Sequence, residues 1–288
     1  MAETLSVIVC THDRHEDIAR CLKALAALED SAFNNAVEVV VVDSGSTVPC
    51  DGLVRELLPS ARYVYEVAPG LSRARNRGLE ETTGELVAFV DDDAAPAPDW
   101  ARRLVRGFDD ERVGCVGGSC EPAFAAQRPG WLSDRLLQYA GITRFGSTAR
   151  TSENSSEYPF GANVAFRRTA LAEAGGFREE LGRTGASLLS GEEADAIDRL
   201  RAAGWTIWLQ PDAVVAHTVA PERCRGGYYW RRLWWQGVSR ARAGASATAA
   251  ARIVVAAPVR LLLWLVTRDR VHLYRVAETG GFLREWIA

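Results

Sequence analysis

The sequence lacks several features that would place it in a class at once. Its six cysteines form no C-x-x-C pair and no zinc-finger spacing, which argues against a metal finger and indicates buried thiols in a reducing compartment. The apolar run Leu5–Cys10 has no basic leader before it, and Pro258 and Arg260 interrupt the longest apolar stretch, Ile253 to Val266. We therefore expect neither a signal peptide nor a membrane-spanning helix.

Charge and repetition exclude further classes. The net charge of -3 gives no general case for a nucleic-acid partner, and the chain shows neither internal repeats nor low-complexity segments. Apolar residues are abundant, at 48% of 288 residues. This length and composition suit one large α/β domain, or such a domain with a helical extension.

Short apolar runs alternate with segments of helical periodicity. The apolar runs predict strands at Leu5–Cys10, Val37–Val42, Arg62–Val67, Leu86–Val90, Val113–Val116, Trp205–Gln210 and Ala213–His217. Helices are predicted at Glu16–Leu28, Gly70–Thr83 and Asp99–Asp109, and from Gly191 onward. The alternation predicts a mostly parallel, Rossmann-like sheet flanked by helices. The segment Ala94–Pro98 is predicted to be a proline-rich turn.

Three consecutive aspartates, Asp91, Asp92 and Asp93, follow the predicted strand Leu86–Val90. In open α/β sheets, ligands bind just beyond the carboxyl ends of the strands. Three adjacent carboxylates repel one another, and a divalent cation such as Mg²⁺ or Mn²⁺, which also takes oxygens of a diphosphate, removes that repulsion. The alternative is a solvated acidic turn, but the position after a buried strand favours a metal or nucleotide site.

Two further segments adjoin the same predicted edge. Asp43 ends the strand Val37–Val42, where a carboxylate suits a base or ribose, although an Asx-turn before Gly45 explains it about as well. Arg73, Arg75 and Arg77 stand at a helix start, where backbone N–H groups and guanidinium groups attract phosphate. Alternate positions cannot share one helix face, so at most one or two of these arginines reach a ligand.

A second group of acids begins the helix after the Gly- and Ser-rich loop Gly182–Gly191. Glu192, Glu193 and Asp195 lie in its first turn, where the helix dipole stabilises any acid; a glycine loop before them is also typical of an active-site lid. His217 ends a predicted strand and is either structural or a metal ligand.

Together these segments resemble the nucleotide-diphospho-sugar glycosyltransferases of family 2, which have the GT-A fold. The resemblance covers about residues 5 to 220 and rests on Ser6–Arg14, Val41–Ser46, Gly70–Gly78, Phe89–Asp93, Gly161–Arg167, Gly175–Phe177, Gly191–Asp195 and His217. It implies a catalytic domain at 1–220 and a helical region at 221–288.

The resemblance also implies a role for particular residues. The nucleotide would be bound by Thr11, Arg14, Asp43 and Arg75, with Asp91 or Asp92 at the ribose. Asp93 and His217 would hold Mg²⁺ or Mn²⁺, and Gly161 and Asn163 would border the donor sugar and the acceptor. Glu193 occupies the position of the general base, with Glu192 as the alternative.

The sequence departs from the family pattern at three places. Glu193 replaces the usual aspartate of the E-D-x-D motif, and in the first motif Cys10 replaces a proline and His12–Asp13 a Tyr–Asn pair. The Q-x-x-R-W motif of the processive synthases is missing after Gln236. The function implied is an inverting, metal-dependent, non-processive glycosyl transfer to an acceptor hydroxyl. The alternatives are a sugar-phosphate nucleotidylyltransferase, disfavoured because Thr11–Arg14 has no glycine, and a non-catalytic nucleotide-sugar or partner-binding domain.

The segment after Pro221 changes in composition. Tyr228–Gly237 contains five aromatic residues and two arginines. Such helices pack on the catalytic domain, self-associate, or touch a membrane surface through Trp, Tyr and Arg, and the first two are favoured because aromatic-rich helices usually face a core. The partners expected are a nucleoside-diphosphate sugar and a small-molecule, glycan or lipid-linked acceptor. The expected location is the cytoplasm, with the inner membrane face as an alternative. Trp131 and Tyr139, in the region Gln127–Pro159, are candidates for stacking on a sugar or for core packing.

Overall fold

The structure is a computed structural model that describes residues 4–28, 37–153, 157–185, 187–244 and 247–287. Its strands are β1 Leu5–Thr11, β2 Glu38–Ser44, β3 Arg62–Glu66, β4 Leu86–Asp91, β5 Ala94–Pro96, β6 Val113–Phe124, β7 Arg150–Thr151, β8 Asn163–Arg167 and β9 Thr206–Val219. Its α-helices are α1 His15–Ala26, α2 Asp51–Leu57, α3 Leu71–Glu80, α4 Trp100–Arg106, α5 Asp134–Leu137, α6 Arg168–Glu173, α7 Glu192–Ala202, α8 Gly226–Arg242, α9 Ala247–Thr267 and α10 Arg270–Ile287. Residues 154–156 of the predicted acceptor region and residue 186 of the predicted lid loop lie outside the described residues.

All of these strands belong to one mixed sheet. Its order is β3-β2-β1-β4-β8-β6-β9-β5, and β7 pairs with β9. The predicted α/β class is confirmed, and β1 to β4 pair in parallel as expected. Beyond β4 the pairing is antiparallel, because β8 runs against both β4 and β6. The parallel arrangement therefore covers four of the nine strands, β1 to β4.

Two local predictions were wrong. Trp205–Gln210 and Ala213–His217 are one continuous strand, β9, because alternate residues from Ile207 to Val219 face the interior without interruption, Pro211 included. The predicted turn Ala94–Pro98 contains β5, which pairs with β9. Proline lacks a backbone N–H, and Pro96 is tolerated because β5 lies at the edge of the sheet.

The central strands are buried on both faces, as their unbroken apolar runs predict. On one face, Val7 and Val9 of β1 pack in a cluster with Leu22 of α1 and Trp100 of α4. On the other face, Phe89 of β4 makes edge-to-face contacts with Phe166 and Phe177 at ring-centroid distances of 6.0 and 5.1 Å. These two layers fix the position of the strand ends, where the acidic residues lie.

The chain divides into two compact units. Unit 1 contains Met1–Pro122, Thr143–Glu180 and Glu192–His217, and unit 2 contains Ala123–Ile142, Leu181–Gly191 and Thr218–Ala288. The core of unit 2 includes Leu132, Leu136, Tyr229, Leu233 and Tyr274. Trp131 packs edge-on against Tyr229 in this core, at a centroid distance of 5.8 Å. Of the two roles considered for Trp131, stacking on a sugar and core packing, the structure shows core packing.

Across the described residues, we find no helix with the length and apolar character needed to cross a bilayer.

Candidate active site

The carboxyl ends of three parallel strands bring polar residues together in unit 1. Thr11 at the end of β1 is in register with Asp43 of β2, and Cys10 is in register with Asp91 at the end of β4. Because parallel strands end at the same edge of a sheet, the acids of β2 and β4 lie on either side of β1. The sequence alone predicted this grouping.

Asp91, Asp93 and His217 form a group that could hold a metal ion. One ligand atom from each residue lies within 4.8 Å of the others. The two aspartates flank a tight turn between β4 and β5, and His217 joins them because it is in register with Ala94. His217 Nε2 is 3.2 Å from Asp93 Oδ1, whereas its buried Nδ1 has no hydrogen-bond partner within the described residues. Two carboxylates and one imidazole make a donor set that fits a divalent cation such as Mn²⁺.

Asp92 lies in the same turn but has a different set of partners. Its carboxylate accepts hydrogen bonds from Thr11 Oγ1 at 2.8 Å and from Arg14 Nη1 at 3.0 Å. Burial raises the pKa of Asp92 to about 7, against the opposing effect of the Arg14 guanidinium. Asp92 therefore ties the loop after β1 to the loop after β4, and both Thr11 and Arg14 are used in that connection.

Asp43 is fully buried, and only one of its two carboxylate oxygens has hydrogen-bond partners among the described residues. Its Oδ2 accepts hydrogen bonds from the backbone N–H of Cys50 at 3.0 Å and from the Tyr63 hydroxyl at 2.9 Å. Its Oδ1 has no hydrogen-bond partner among the described residues. A buried carboxylate oxygen without a donor costs free energy unless a ligand supplies one.

Arg75 is a buried cation enclosed by three acids and two aromatic rings. Its side chain is 3% exposed, and Nη1 is 2.7 Å from Glu192 Oε1 and 4.0 Å from Glu193 Oε2, while Nη2 is 3.6 Å from Asp91 Oδ1. The guanidinium also lies over the rings of Phe89 and Phe177. Burial lowers the pKa of Arg75, but the acids around it raise that pKa by more. The other two arginines of α3 pair on the surface, Arg73 with Glu179 and Arg77 with Glu81.

Glu192 and Glu193 begin α7 side by side but have different surroundings. Glu192 is 2% exposed and bonded to Arg75. The Glu193 side chain is 14% exposed; its Oε1 accepts a 3.4 Å hydrogen bond from the Gly161 N–H, and its Oε2 has none among the described residues. The third acid of the turn, Asp195, pairs with Arg199. Of these two glutamates, Glu193 is the more exposed, although its Oε2 is a buried atom without a hydrogen-bond partner among the described residues.

The two residues expected to border the sugars lie in different environments. Gly161 packs directly against the Arg75 guanidinium, leaving no room for a side chain. Asn163 is fully buried: its Nδ2 donates to the carbonyl groups of Ser119 and Ala213, and its Oδ1 accepts from Trp100 Nε1. Asn163 therefore joins β8 to the neighbouring strands and to α4, which departs from its expected position beside a sugar.

For the three consecutive aspartates the sequence predicted a cation, with Asp91 or Asp92 at the ribose, and the structure groups Asp91 and Asp93 with His217. One feature of the site was missed at the level of sequence. The buried Arg75–Glu192 pair joins residues far apart in the chain, and no local pattern announces it.

The site and the sheet define a class, the glycosyltransferases with the GT-A fold. The sequence model of "Glycosyl transferase family 2" matches residues 6–175. The chain belongs to this family, as its motifs predicted, and it is a glycosyltransferase.

Curated relatives carry similar names. The chain is 26% identical over 243 residues to the glucosyl-dolichyl phosphate glucuronosyltransferase of Haloferax volcanii, covering 82% of this chain and 76% of that protein. It is 27% identical over 249 residues to the succinoglycan biosynthesis protein ExoM of Rhizobium meliloti, covering 83% of this chain and 74% of the relative.

Solved structures share the fold. The mannosyltransferase PcManGT of Pyrobaculum calidifontis, in complex with GDP-Man and Mn²⁺, superimposes with a TM-score of 0.65 at 22% identity, covering 98% of this chain and 88% of that one. GalNAc-T7 with UDP, GalNAc and Mn²⁺ gives a TM-score of 0.59 at 15% identity, covering 83% of this chain and 50% of the other. These similarities support the fold, and each ligand belongs to the protein in which it was found.

Proposed function

We propose that this glycosyltransferase moves one sugar from a nucleoside-diphosphate donor to an acceptor hydroxyl with inversion, with the help of a divalent cation. One observation carries the proposal. The buried guanidinium of Arg75 lies within 4.0 Å of both Asp91 of the possible metal group and Glu193, the partly exposed acid at the start of α7. A place for a leaving diphosphate and a base are thus adjacent.

Asp91, Asp93 and His217 are the residues that would hold the cation. A cation bound there supplies Lewis acidity, which neutralises the negative charge that develops on the diphosphate as it leaves. The relatives of known structure with GDP-Man or UDP and Mn²⁺ support this assignment by analogy.

Glu193 is proposed as the general base. Its Oε2 has no hydrogen-bond partner within the described residues and lies 4.0 Å from Arg75 Nη1, and a carboxylate oxygen at this place can accept the proton of an attacking hydroxyl. The acceptor oxygen attacks the anomeric carbon from the face opposite the diphosphate and gives its proton to Glu193. A single displacement with inversion needs only one base. Glu192 is hydrogen-bonded to Arg75 and has the role of positioning the Arg75 guanidinium.

Asp43 is proposed as the group that binds the nucleobase. Its Oδ1 requires a donor, and the N–H groups at the edge of a base would provide one. Thr11 and Arg14, which hold Asp92 in place, border the same strand end. The site as a whole then binds a nucleotide by its base and by its diphosphate.

The test is a thermal-shift assay with UDP, GDP and dTDP, each with Mn²⁺ and with chelator. We expect one nucleotide to raise the melting temperature only when the cation is present, because a ligand stabilises the state that binds it. Asp43→Asn should weaken that shift. If none of the nucleotides produces a cation-dependent shift, the proposed donor site is wrong.

A further inference from the structure

Helix α9 of unit 2 has an apolar outer surface. Among the described residues, fourteen large apolar side chains are exposed, and eight of them lie in this helix. They are Val254, Val255, Val259, Leu261, Leu262, Leu263, Leu265 and Val266, which we call the α9 apolar face. At 3.6 residues per turn these positions cover about 200° of the helix circumference. A water-exposed helix would carry polar residues there.

The opposite side of α9 is fixed within unit 2. Ile253 packs in a cluster with Phe282 of α10. Arg260, the only charged residue from 253 to 267, turns inward and donates hydrogen bonds to the Arg275 carbonyl at 2.9 Å and to Thr279 Oγ1 at 3.1 Å. The one charge in this stretch is therefore removed from the apolar face.

Both ends of the apolar face carry positive charge. Arg252 precedes it, and Arg268 and Arg270 follow it, all exposed. No acid occurs from residue 247 to residue 268, and the acid that follows, Asp269, is paired with Arg135 at 3.4 Å. An apolar strip bounded by arginines complements an apolar layer bordered by negatively charged groups.

The same charges argue against a second copy of the chain as the occupant. An antiparallel contact between two α9 helices would bring Arg252 of one copy towards Arg268 of the other. A parallel contact would place like residues side by side. In either case the exposed part of the helix offers no acid to offset the repulsion.

We propose that the α9 apolar face lies on a lipid bilayer with anionic headgroups. The helix lies in the plane of the interface, with its aliphatic side chains in the upper acyl region and Arg252, Arg268 and Arg270 at the phosphates. The rest of unit 2 stays on the aqueous side, because the buried Arg260 and Glu278 hold the inner side of α9. Helix α8 differs from α9 in this respect, because its aromatic residue Tyr229 packs in the core of unit 2.

The experiment is vesicle flotation with the full chain. Vesicles of phosphatidylglycerol and vesicles of phosphatidylcholine are compared at low and at high salt. We expect binding to phosphatidylglycerol that falls as salt rises. The variant Leu262→Gln/Val266→Gln should lose at least about tenfold in partitioning, because two exposed aliphatic side chains no longer enter the bilayer.

Matched variants separate the causes. Val48→Gln/Val67→Gln changes two exposed valines of unit 1 and should leave flotation unchanged. Arg252→Gln/Arg268→Gln should reduce binding to phosphatidylglycerol and leave the weaker binding to phosphatidylcholine as it is. Circular dichroism establishes that each variant keeps its helix content.

Two results would overturn the proposal. One is no flotation with phosphatidylglycerol, or equal flotation by Leu262→Gln/Val266→Gln. The other is a concentration-dependent dimer, seen by light scattering, that the same double variant abolishes, since the face would then cover a second copy of the chain.

Discussion

At the scale of single residues, the neighbouring glutamates at the start of α7 lie in different surroundings and are proposed to have different roles. The Glu192 side chain is 3% exposed and accepts a 2.7 Å hydrogen bond from Arg75, whereas the Glu193 side chain is 14% exposed and lies 4.0 Å from the same guanidinium. The chemistry of the two side chains is the same, so their surroundings alone separate a positioning residue from a proposed base. This difference makes two substitutions informative.

Glu193→Gln should lower kcat by about 10² to 10⁴-fold, because the amide cannot accept the acceptor's proton. Nucleotide binding, measured by thermal shift, should stay close to that of the wild type. Glu179→Gln, at an exposed acid paired with Arg73, is the control and should keep full activity. Substantial turnover by Glu193→Gln would assign the base elsewhere.

Glu192→Gln should act on stability. In the Arg75–Glu192 pair, each side chain is only 3% exposed. Removing one partner of such a buried pair costs about 3 kcal/mol of unfolding free energy. Urea unfolding followed by tryptophan fluorescence measures this. The Arg73–Glu179 pair has the same 2.7 Å distance but is exposed, so Glu179→Gln should change little. Equal effects of the two variants would contradict the assignment.

The sequence predicted the site to the extent that its chemistry is local. Asp91 to Asp93 were found because a buried strand runs into them, and Asp43 because another does. The burial of Arg75 could not be predicted, because it depends on Glu192 and on two phenylalanines brought from other parts of the chain. The role of Asn163 likewise depends on distant parts of the chain. The sequence suggested a sugar contact, and only the fold shows that its amide is hydrogen-bonded to three other elements.

At the scale of elements, α8 and α10 approach each other through glycines. A side chain at Gly237 would collide with the carbonyl oxygen of Glu278, and one at Gly281 with that of Trp234. Close backbone approach also brings Arg240 within 2.6 Å of the buried Glu278. The small residues thus set the distance between the two helices.

Gly237→Ala should therefore destabilise unit 2 by about 3 kcal/mol, because a backbone, which cannot move aside as a side chain does, meets the new methyl group. Gly227→Ala is the matched control in the same helix, since nothing lies within 4 Å of its added Cβ. It should be neutral or slightly stabilising. Thermal unfolding of both variants tests this, and a tolerated Gly237→Ala would mean that the helices can separate at little cost.

The same scale shows where strand prediction fails. β5 was predicted as a turn because it is rich in proline. β9 was predicted as two strands, whereas the alternation from Ile207 to Val219 indicates one. The parallel strands β1, β2 and β4 were predicted well because each is a compact apolar run, whereas β3, with the sequence RYVYE, is short and not buried.

At the scale of the whole molecule, cation binding should be coupled to stability. The imidazole of His217 makes the donor set more favourable for Mn²⁺ than for Mg²⁺, which prefers oxygen ligands. We expect Mn²⁺ to raise the melting temperature, and to support activity, at lower concentrations than Mg²⁺. His217→Asn should reduce that preference, and an unchanged preference in this variant would remove His217 from the proposed ligand set.

The position of His217 also has a consequence for the order in which the protein assembles. β9 is the last strand in the described part of the chain, yet it lies between β6 and β5 in the sheet. Its residues Val215 to His217 pair with Ala94 to Pro96 of β5, which come much earlier in the sequence. Such distant pairings form late, because the intervening chain must first be closed into a loop. During synthesis, Asp91 and Asp93 leave the ribosome well before His217 does. A growing chain therefore carries the two carboxylates without the imidazole, and the possible metal group is complete only when the sheet is complete.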